Sequence, residues 1–263
     1  MHASTFDRYL YRSSPIHRLD PRVKVVVTLV FIVANVLLPD GSWLAFGLAW
    51  LLVLAATVLA HIQPLYVVKR SFVVIPFLLA AVTVIFTLPG NTIASWQVGS
   101  RTLTVSDAGL IRFVSIVIRS WVSLQMAILL TAVTQFPDLM HALHHLRVPK
   151  ILTTIISFMY RYLFVLSDEA MRLIRAREAR SAVGKNGRAG GSLLWRAQTA
   201  GSMVGQLMLR SFERSERVYA AMLARGYRGE MHTMNPHVMT TNDWLWGAGS
   251  VVLILSIQLI ARL

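Results

Sequence analysis

The sequence predicts an all-α membrane protein: about five transmembrane helices plus an elongated cytoplasmic module of two to three helices. Three observations predict it. The chain is 55% hydrophobic and only 14% charged over 263 residues, whereas a soluble domain carries about 25% charge. Its apolar residues are clustered, because Trp43–Ala60, Ser71–Leu88 and Trp244–Ala261 are each 18 residues without a charge, near the lower limit of roughly 17 for a helix that spans hydrocarbon. Between the fourth and last spans lies a long, basic and partly apolar region whose periodicity is helical.

The first span is expected from about Val23 to Leu38, stopped by the turn sequence Pro39-Asp40-Gly41. The second starts near the interface-type residue Trp43 and ends near His61. Pro64 then opens a short basic connection with Lys69 and Arg70, and the third span is Ser71–Leu88 with Pro76 inside it. Pro89-Gly90-Asn91 breaks that helix, a polar loop runs to Asp107, and the fourth span covers about Ala108 to Thr134 with Arg112 and Arg119 within it. Positive flanks set the orientation. The leader Met1–Lys24 holds Arg8, Arg12, Arg18, Arg22 and Lys24, and the connection after span two holds two more cations. The turn after span one holds none and the loop after span three only Arg101. The N-terminus is therefore expected in the cytoplasm. It lacks the apolar stretch and cleavage site of a signal peptide.

Beyond Gln135, Pro137-Asp138 begins a short helix reaching Leu146. Pro149 then precedes a long helix from Lys150 to about Val183, apolar in its first half and carrying Arg172, Arg175, Arg177 and Arg180 in its second. Gly184-Lys185-Asn186-Gly187 and Gly190-Gly191-Ser192 compose a flexible linker. A further helix is expected from about Leu193 to Arg225, amphipathic through Val204, Leu207, Met208, Phe212, Tyr219, Met222 and Leu223. It stops at Gly226, a residue suited to the left-handed position beyond a helix end. Between Asp168 and Glu230 there are twelve basic and six acidic residues. Ile151–Leu166 is short for a span, contains Arg161, and would carry the basic Arg172–Arg188 stretch outside, so it reads as a helix packed at the membrane surface or under other spans. The organisation is a leader (1–22), four spans (23–135), cytoplasmic helices (136–237) and a last span (238–263).

The net charge of +14 and pI near 11.2 belong to the span flanks, where cations set topology and touch anionic lipid; nucleic-acid binding is not expected. Cysteine is absent, which excludes disulfides and thiolate metal sites. No Gly-x-x-x-x-Gly-Lys-Ser/Thr loop, Gly-x-Ser-x-Gly elbow or His-Glu-x-x-His helix occurs. The chain is read as no enzyme, with neither cofactor nor metal site. His141 and His145 fall on one helix face, but no carboxylate or thiolate accompanies them, and they read as a solvated or interfacial face, as do His2 and His17. Met203, Met208 and Met222 read as adaptable packing. Arg119, costly inside a span at about 2.5–3.5 kcal/mol, is expected to be paired.

Three segments carry a family resemblance: Ser14-Pro15-Ile16-His17-Arg18-Leu19-Asp20-Pro21-Arg22-Val23-Lys24, then Leu146-Arg147-Val148-Pro149 with Met159-Tyr160-Arg161-Tyr162, and Ala220-Ala221-Met222-Leu223-Ala224-Arg225-Gly226-Tyr227. They resemble the T component of energy-coupling factor transporters, bacterial importers built on ABC-type ATPases. Phe6-Asp7-Arg8-Tyr9-Leu10-Tyr11 looks most like the cobalt-transport, CbiQ-type branch. The resemblance implies a coupling scaffold in the bacterial cytoplasmic membrane. Its partners would be two ATPase subunits (a homodimer), a substrate-binding membrane S component and a small accessory membrane subunit. The implied solute is Co²⁺ for cobalamin synthesis; nickel or a vitamin such as biotin or riboflavin are the alternatives, and a self-contained permease is the rival reading. Family members carry two Ala-Arg-Gly motifs whose arginines dock the ATPases. Here the second is Ala224, Arg225 and Gly226, and the first is Ala179, Arg180 and Ser181, with serine in place of glycine. Ala176-Arg177-Glu178 is a competing register for it.

Overall fold

The computed structural model describes residues 8–87, 91–98, 101–181, 192–229 and 238–263. They fall into two compact units, one comprising Asp7–Leu146 with Pro236–Leu263, the other centred on Arg147–Asn235.

The first unit is a bundle of apolar helices. A single turn, α1 (Pro15–Arg18), precedes α2 (Pro21–Val36), whose start is written in its residues: the Asp20 carboxylate accepts the Arg22 N–H at 2.8 Å, and Pro21 occupies a first-turn position where no N–H is missed. Gly41 sits at φ +81° in the turn that follows, and α3 (Trp43–Leu59) returns. The stretch Pro64–Thr87 is one near-continuous helical rod rather than a connection and a span. It comprises α4 (Pro64–Ser71), a 3₁₀ turn at Phe72–Val74, α5 (Ile75–Ala81) and α6 (Thr83–Thr87). The breaks lie around Pro76, whose ring removes a helix hydrogen bond. The expected polar loop is instead an antiparallel hairpin, β1 (Thr92–Val98) with β2 (Arg101–Ser106), Val98 opposite Arg101. It hands over to α7 (Asp107–Val133), capped by Ser106, whose hydroxyl accepts the Gly109 N–H at 3.0 Å. The short α8 (Phe136–His145) follows. The last span, α11 (Thr241–Ile260), opens on a capping box between Thr240 and Asp243.

Phe31, Val53, Val122, Met126 and Leu129 fill the centre of this bundle, with Trp50 stacked on Trp121. Outward faces carry Leu29, Val33, Leu51, Phe77, Leu79, Leu253 and Leu255 exposed. In lipid this carries no penalty, and the faces show which surface meets the bilayer. Gly109 marks the tightest approach, since a Cβ there would lie 2.7 Å from the Ile85 carbonyl oxygen.

The second unit holds α9 (Lys150–Arg180) and α10 (Leu193–Ala224). Arg147, just before α9, has φ +65°. The linker Gly184–Gly191 lies outside the described residues, as do His2, Phe6 and Asp7. Among the described residues, four helical stretches are long and apolar enough to cross a membrane: 64–87, 107–133, 150–180 and 241–260. The shorter Trp43–Leu59 is apolar too. The stretch 150–180 qualifies by length and composition despite its basic second half.

Candidate coupling site

Both candidate motifs fall at helix ends, and the two ends are built differently. Arg225 caps α10. Tyr227 N–H donates to the Met222 carbonyl at 3.0 Å and Gly226 N–H to that of Leu223 at 3.0 Å. With Gly226 at φ +81° this is a complete Schellman turn. Tyr227 and Met222 both line the groove between α9 and α10. Arg180 is the last residue of α9. Ser181 follows with φ −91° and ψ 120°, its N–H on the Glu178 carbonyl and its hydroxyl donating to the Arg177 carbonyl at 2.8 Å. That conformation is open to any residue and a hydroxyl does the capping. Serine therefore stands where the family motif has glycine without strain.

Arg180 and Arg225 are exposed, while Arg177 is half-buried. Among the described residues neither Arg180 nor Arg225 meets a carboxylate; cations that do include Arg22, Arg112, Arg119, Arg172 and Arg210. The helices are joined where Arg210 donates to Glu169 at 2.9 Å. Arg172 also approaches Glu169, at 3.7 Å. From that junction the helices run antiparallel, because the first half of α9 lies beside the last turns of α10. At about 1.5 Å per residue, Arg180 stands roughly 16 Å beyond the junction and Arg225 roughly 22 Å beyond it in the other direction.

Between the helices lies a groove of about 760 Å³, whose apolar lining includes Ile151, Ile155, Phe158, Val218, Tyr219 and Met222. An exposed apolar stripe continues along α10 through Val204, Met208, Phe212 and Leu223. Met222 lies in the groove, Met208 is exposed and Met203 half-buried, so these thioethers belong to packing surfaces.

In the bundle, the amino-terminal signature forms a buried polar hub. Ser14 caps α1 and its hydroxyl lies 2.7 Å from His17 Nδ1, while His17 Nε2 lies 3.1 Å from the Leu10 carbonyl. Burial is the main cause holding the His17 imidazole below its ordinary value of 6.5; Lys24 and Arg12 add to it against the Leu10 hydrogen bond. Lys24 is 8% exposed and its Nζ donates to the carbonyls of His17 at 2.9 Å and Val133 at 3.3 Å. Asp20 N–H donates across the bundle to Asp243 Oδ1 at 2.9 Å. The hub was missed in the sequence because its partners lie 223 residues apart. Only the Thr240-x-x-Asp243 capping box gave a local signal.

Arg119 is paired, as expected. It reaches Asp40 at 2.6 Å and the Leu38 carbonyl at 2.5 Å, and stands over the Phe46 ring at 5.6 Å. Arg112 lies 3.8 Å from the same carboxylate. Both intramembrane arginines therefore hold the Pro39–Gly41 turn. The His141 and His145 rings are 4.4 Å apart, and Arg22 lies 3.3 Å from His141 Nε2. Among the described residues no group of three or more His, Asp or Glu could hold a metal ion.

Comparison with known proteins agrees with this architecture. The family described as "Cobalt transport protein", CbiQ, matches residues 12–235. The energy-coupling factor transporter transmembrane protein EcfT of Brevibacillus brevis is 28% identical over 261 residues, covering 95% of each chain. That of Heliobacterium modesticaldum is 30% identical over 258 residues, covering 91% of each. An uncharacterized protein of Methanocaldococcus jannaschii is 28% identical over 230 residues, which are 86% of this chain and 76% of that one. Together, the signature at the start of the first span, the apolar bundle and the two arginine-ended helices identify the chain as a member of the CbiQ family, a non-catalytic, multi-pass transmembrane component of an energy-coupling factor transporter.

Proposed function

We propose that this chain transmits the motion of two ATPase subunits to a substrate-binding membrane subunit, with Arg180 and Arg225 as the docking contacts and Co²⁺ as the solute. Membership of the family implies ATPase and S-component partners in general. The observation that carries the finer reading is the pair of exposed arginines at opposite ends of an antiparallel helix pair. Each is left without a carboxylate among the described residues. A guanidinium grips a carboxylate through two parallel N–H bonds, a geometry suited to an acidic groove on a partner.

The apolar groove and stripe between the tips offer the surface for the S component. Drawing two identical ATPases together on ATP binding would shift both tips and reorient that subunit; a small accessory membrane subunit completes the assembly. The distribution of Lys and Arg supports a cytoplasmic N-terminus and cytoplasmic coupling helices in a bacterial cytoplasmic membrane. Self-contained permeation is disfavoured because Arg112 and Arg119, which would be its polar elements, are both tied to Asp40.

Cobalt rests on the family description and the opening residues; nickel or a vitamin is the alternative solute. Cells expressing the chain with its ATPase and S component should accumulate radiolabelled cobalt, with nickel, biotin and riboflavin as competitors. Competition by a vitamin alone would refute the metal assignment. Replacing His141 and His145 by alanine should leave uptake nearly unchanged, because buried Met140 and Ala142 hold α8.

A further inference from the structure

The hub at the start of α2 is more elaborate than a topogenic signal or a helix cap requires. A cytoplasmic positive flank works with exposed cations, yet Lys24 is buried and its ammonium is lodged between two backbone carbonyls. Burying a cation is costly unless neighbours compensate it, and the Asp138, Asp20 and Asp243 carboxylates supply the opposite charge. A helix N-cap needs one acceptor, which Asp20 provides through its own side chain. Its backbone N–H is nevertheless given to Asp243, whose other oxygen already accepts the Thr240 N–H at 2.8 Å and the Thr240 hydroxyl at 2.7 Å.

The stretch holding α9 and α10 leaves the bundle unit after Leu146, and the bundle resumes before Thr240. The departing strand issues from α7 and α8. The last carbonyl of α7, Val133, accepts from Lys24, and Asp138 in the first turn of α8 is among the carboxylates acting on the same ammonium. The returning strand enters through the Thr240–Asp243 box, which holds Asp20. The elements on either side of that stretch are thus bonded to one turn of one helix, residues 20–24.

We propose that Asp20, Lys24 and Asp243 form a clasp that fixes both tethers of the α9–α10 unit, so that movement of that unit is delivered to the spans instead of being absorbed at its attachment points. They are positioning residues. The inference rests on the reading that α9 and α10 receive the ATPases. It adds that the amino-terminal signature of the first span is part of the transmission, and it names Asp243 of the last span as its counterpart.

The absence of cysteine makes the test clean. Nitroxide labels on single cysteines at exposed Gln63 and Glu178 report the distance between the units in the assembled transporter, with and without ATP. Uptake per ATP hydrolysed is measured on the same preparation reconstituted in vesicles. The wild type should show one ATP-dependent shift in distance. Asp243→Ala and Lys24→Met should keep their ATPases bound and hydrolysing, yet show a broadened or absent shift and roughly a tenfold loss of uptake per ATP, as expected when a dominant clasped population becomes a minor one. Asp243→Asn keeps an oxygen for the Asp20 N–H, so it should fall between them; it also carries the test if the alanine variant fails to accumulate. A normal shift with normal uptake per ATP in these variants overturns the clasp. So does uptake that falls only in proportion to folded protein, which would make the hub merely structural. A wild type whose ATPases are bound but whose distance ignores ATP overturns the docking reading itself, a result distinct from loss in the variants alone.

Discussion

Replacing Arg225 by alanine probes docking most directly, because the structure isolates the guanidinium from everything else the residue does. Its backbone holds the end of α10 through bonds to the Ala221 and Met222 carbonyls, and alanine keeps both. The side chain is exposed and makes no ion pair among the described residues, so its removal costs the isolated chain almost nothing. On the proposed docking, the same truncation would orphan a partner carboxylate in the assembled transporter, which costs about 2–5 kcal/mol. At about 1.4 kcal/mol per tenfold, docking weakens by roughly thirty- to several-thousandfold. The assay is retention of the ATPases on the detergent-purified transmembrane chain, alongside uptake at matched membrane levels. Arg225→Ala should abolish uptake, and the Arg180→Ala/Arg225→Ala variant should also shed the ATPases. Arg217→Ala, exposed on the same helix away from its end, is the control and should be mild. A larger defect in Arg177→Ala than in Arg180→Ala would move the first contact back by one helical turn, against the lower exposure of Arg177. Full uptake by the double variant would refute the reasoning.

Other positions test the scaffold. Gly109→Ala places a methyl against the Ile85 backbone at 2.7 Å, which must push α6 from α7; a loss of about 1–3 kcal/mol is expected, read as a fall in Tm of the purified chain. Arg119→Ala leaves Asp40 with only the 3.8 Å approach of Arg112. Because Asp40 is 37% exposed, the loss should be modest, about 1–2 kcal/mol, and Asp40→Ala made in the same background should add less than it does alone. For His17, the folded value lies below the ordinary 6.5, so the unfolded chain binds the proton more readily. Stability is then intact above about pH 6.5 and declines as pH falls below it. The wild-type Tm should drop between pH 7.5 and 5.5, His17→Gln should flatten that drop, and an identical pH profile in the variant would remove His17 from the account.

What the sequence discloses is what is written locally. The spans follow from uncharged apolar runs, and the end of α10 from Gly226, since a left-handed residue beyond a helix is a one-residue signal. Around 92–106 the alternating β-branched residues Thr92, Ile93, Val98, Thr102, Thr104 and Val105 flank Gly99-Ser100. This is a hairpin pattern that polar composition concealed. The helix that holds the third span starts at Pro64, upstream of the expected Ser71; in the sequence Lys69 and Arg70 look like a break in an apolar run. They are carried within the helix instead, with Arg70 donating to the Tyr66 hydroxyl at 2.7 Å. At α9 the expected end near Val183 lies past the observed Arg180, because a serine cap leaves a weaker mark than glycine. The Asp20–Asp243 bond and the convergence on Lys24 depend on a fold that brings the first and last spans together, and no local pattern encodes that.

The spacing of the two tips constrains what can bind them. Arg210 lies beside Glu169 and the helices are antiparallel. From that junction Arg180 is eleven residues on and Arg225 fifteen, about 16 and 22 Å along their helices in opposite directions. On the proposed docking, two Ala-Arg ends facing opposite ways suit the like grooves of a two-fold homodimer, although the rest of the chain is asymmetric. The departures from symmetry lie just past the arginines, where Gly226 reverses the chain and Ser181 lets it run on extended. If the partner were instead built of two different ATPases, exchanging Ser181 for glycine should affect one groove alone. With identical ATPases Ser181→Gly should be nearly silent in uptake and in ATPase retention, because the arginine before it keeps its place at the end of α9.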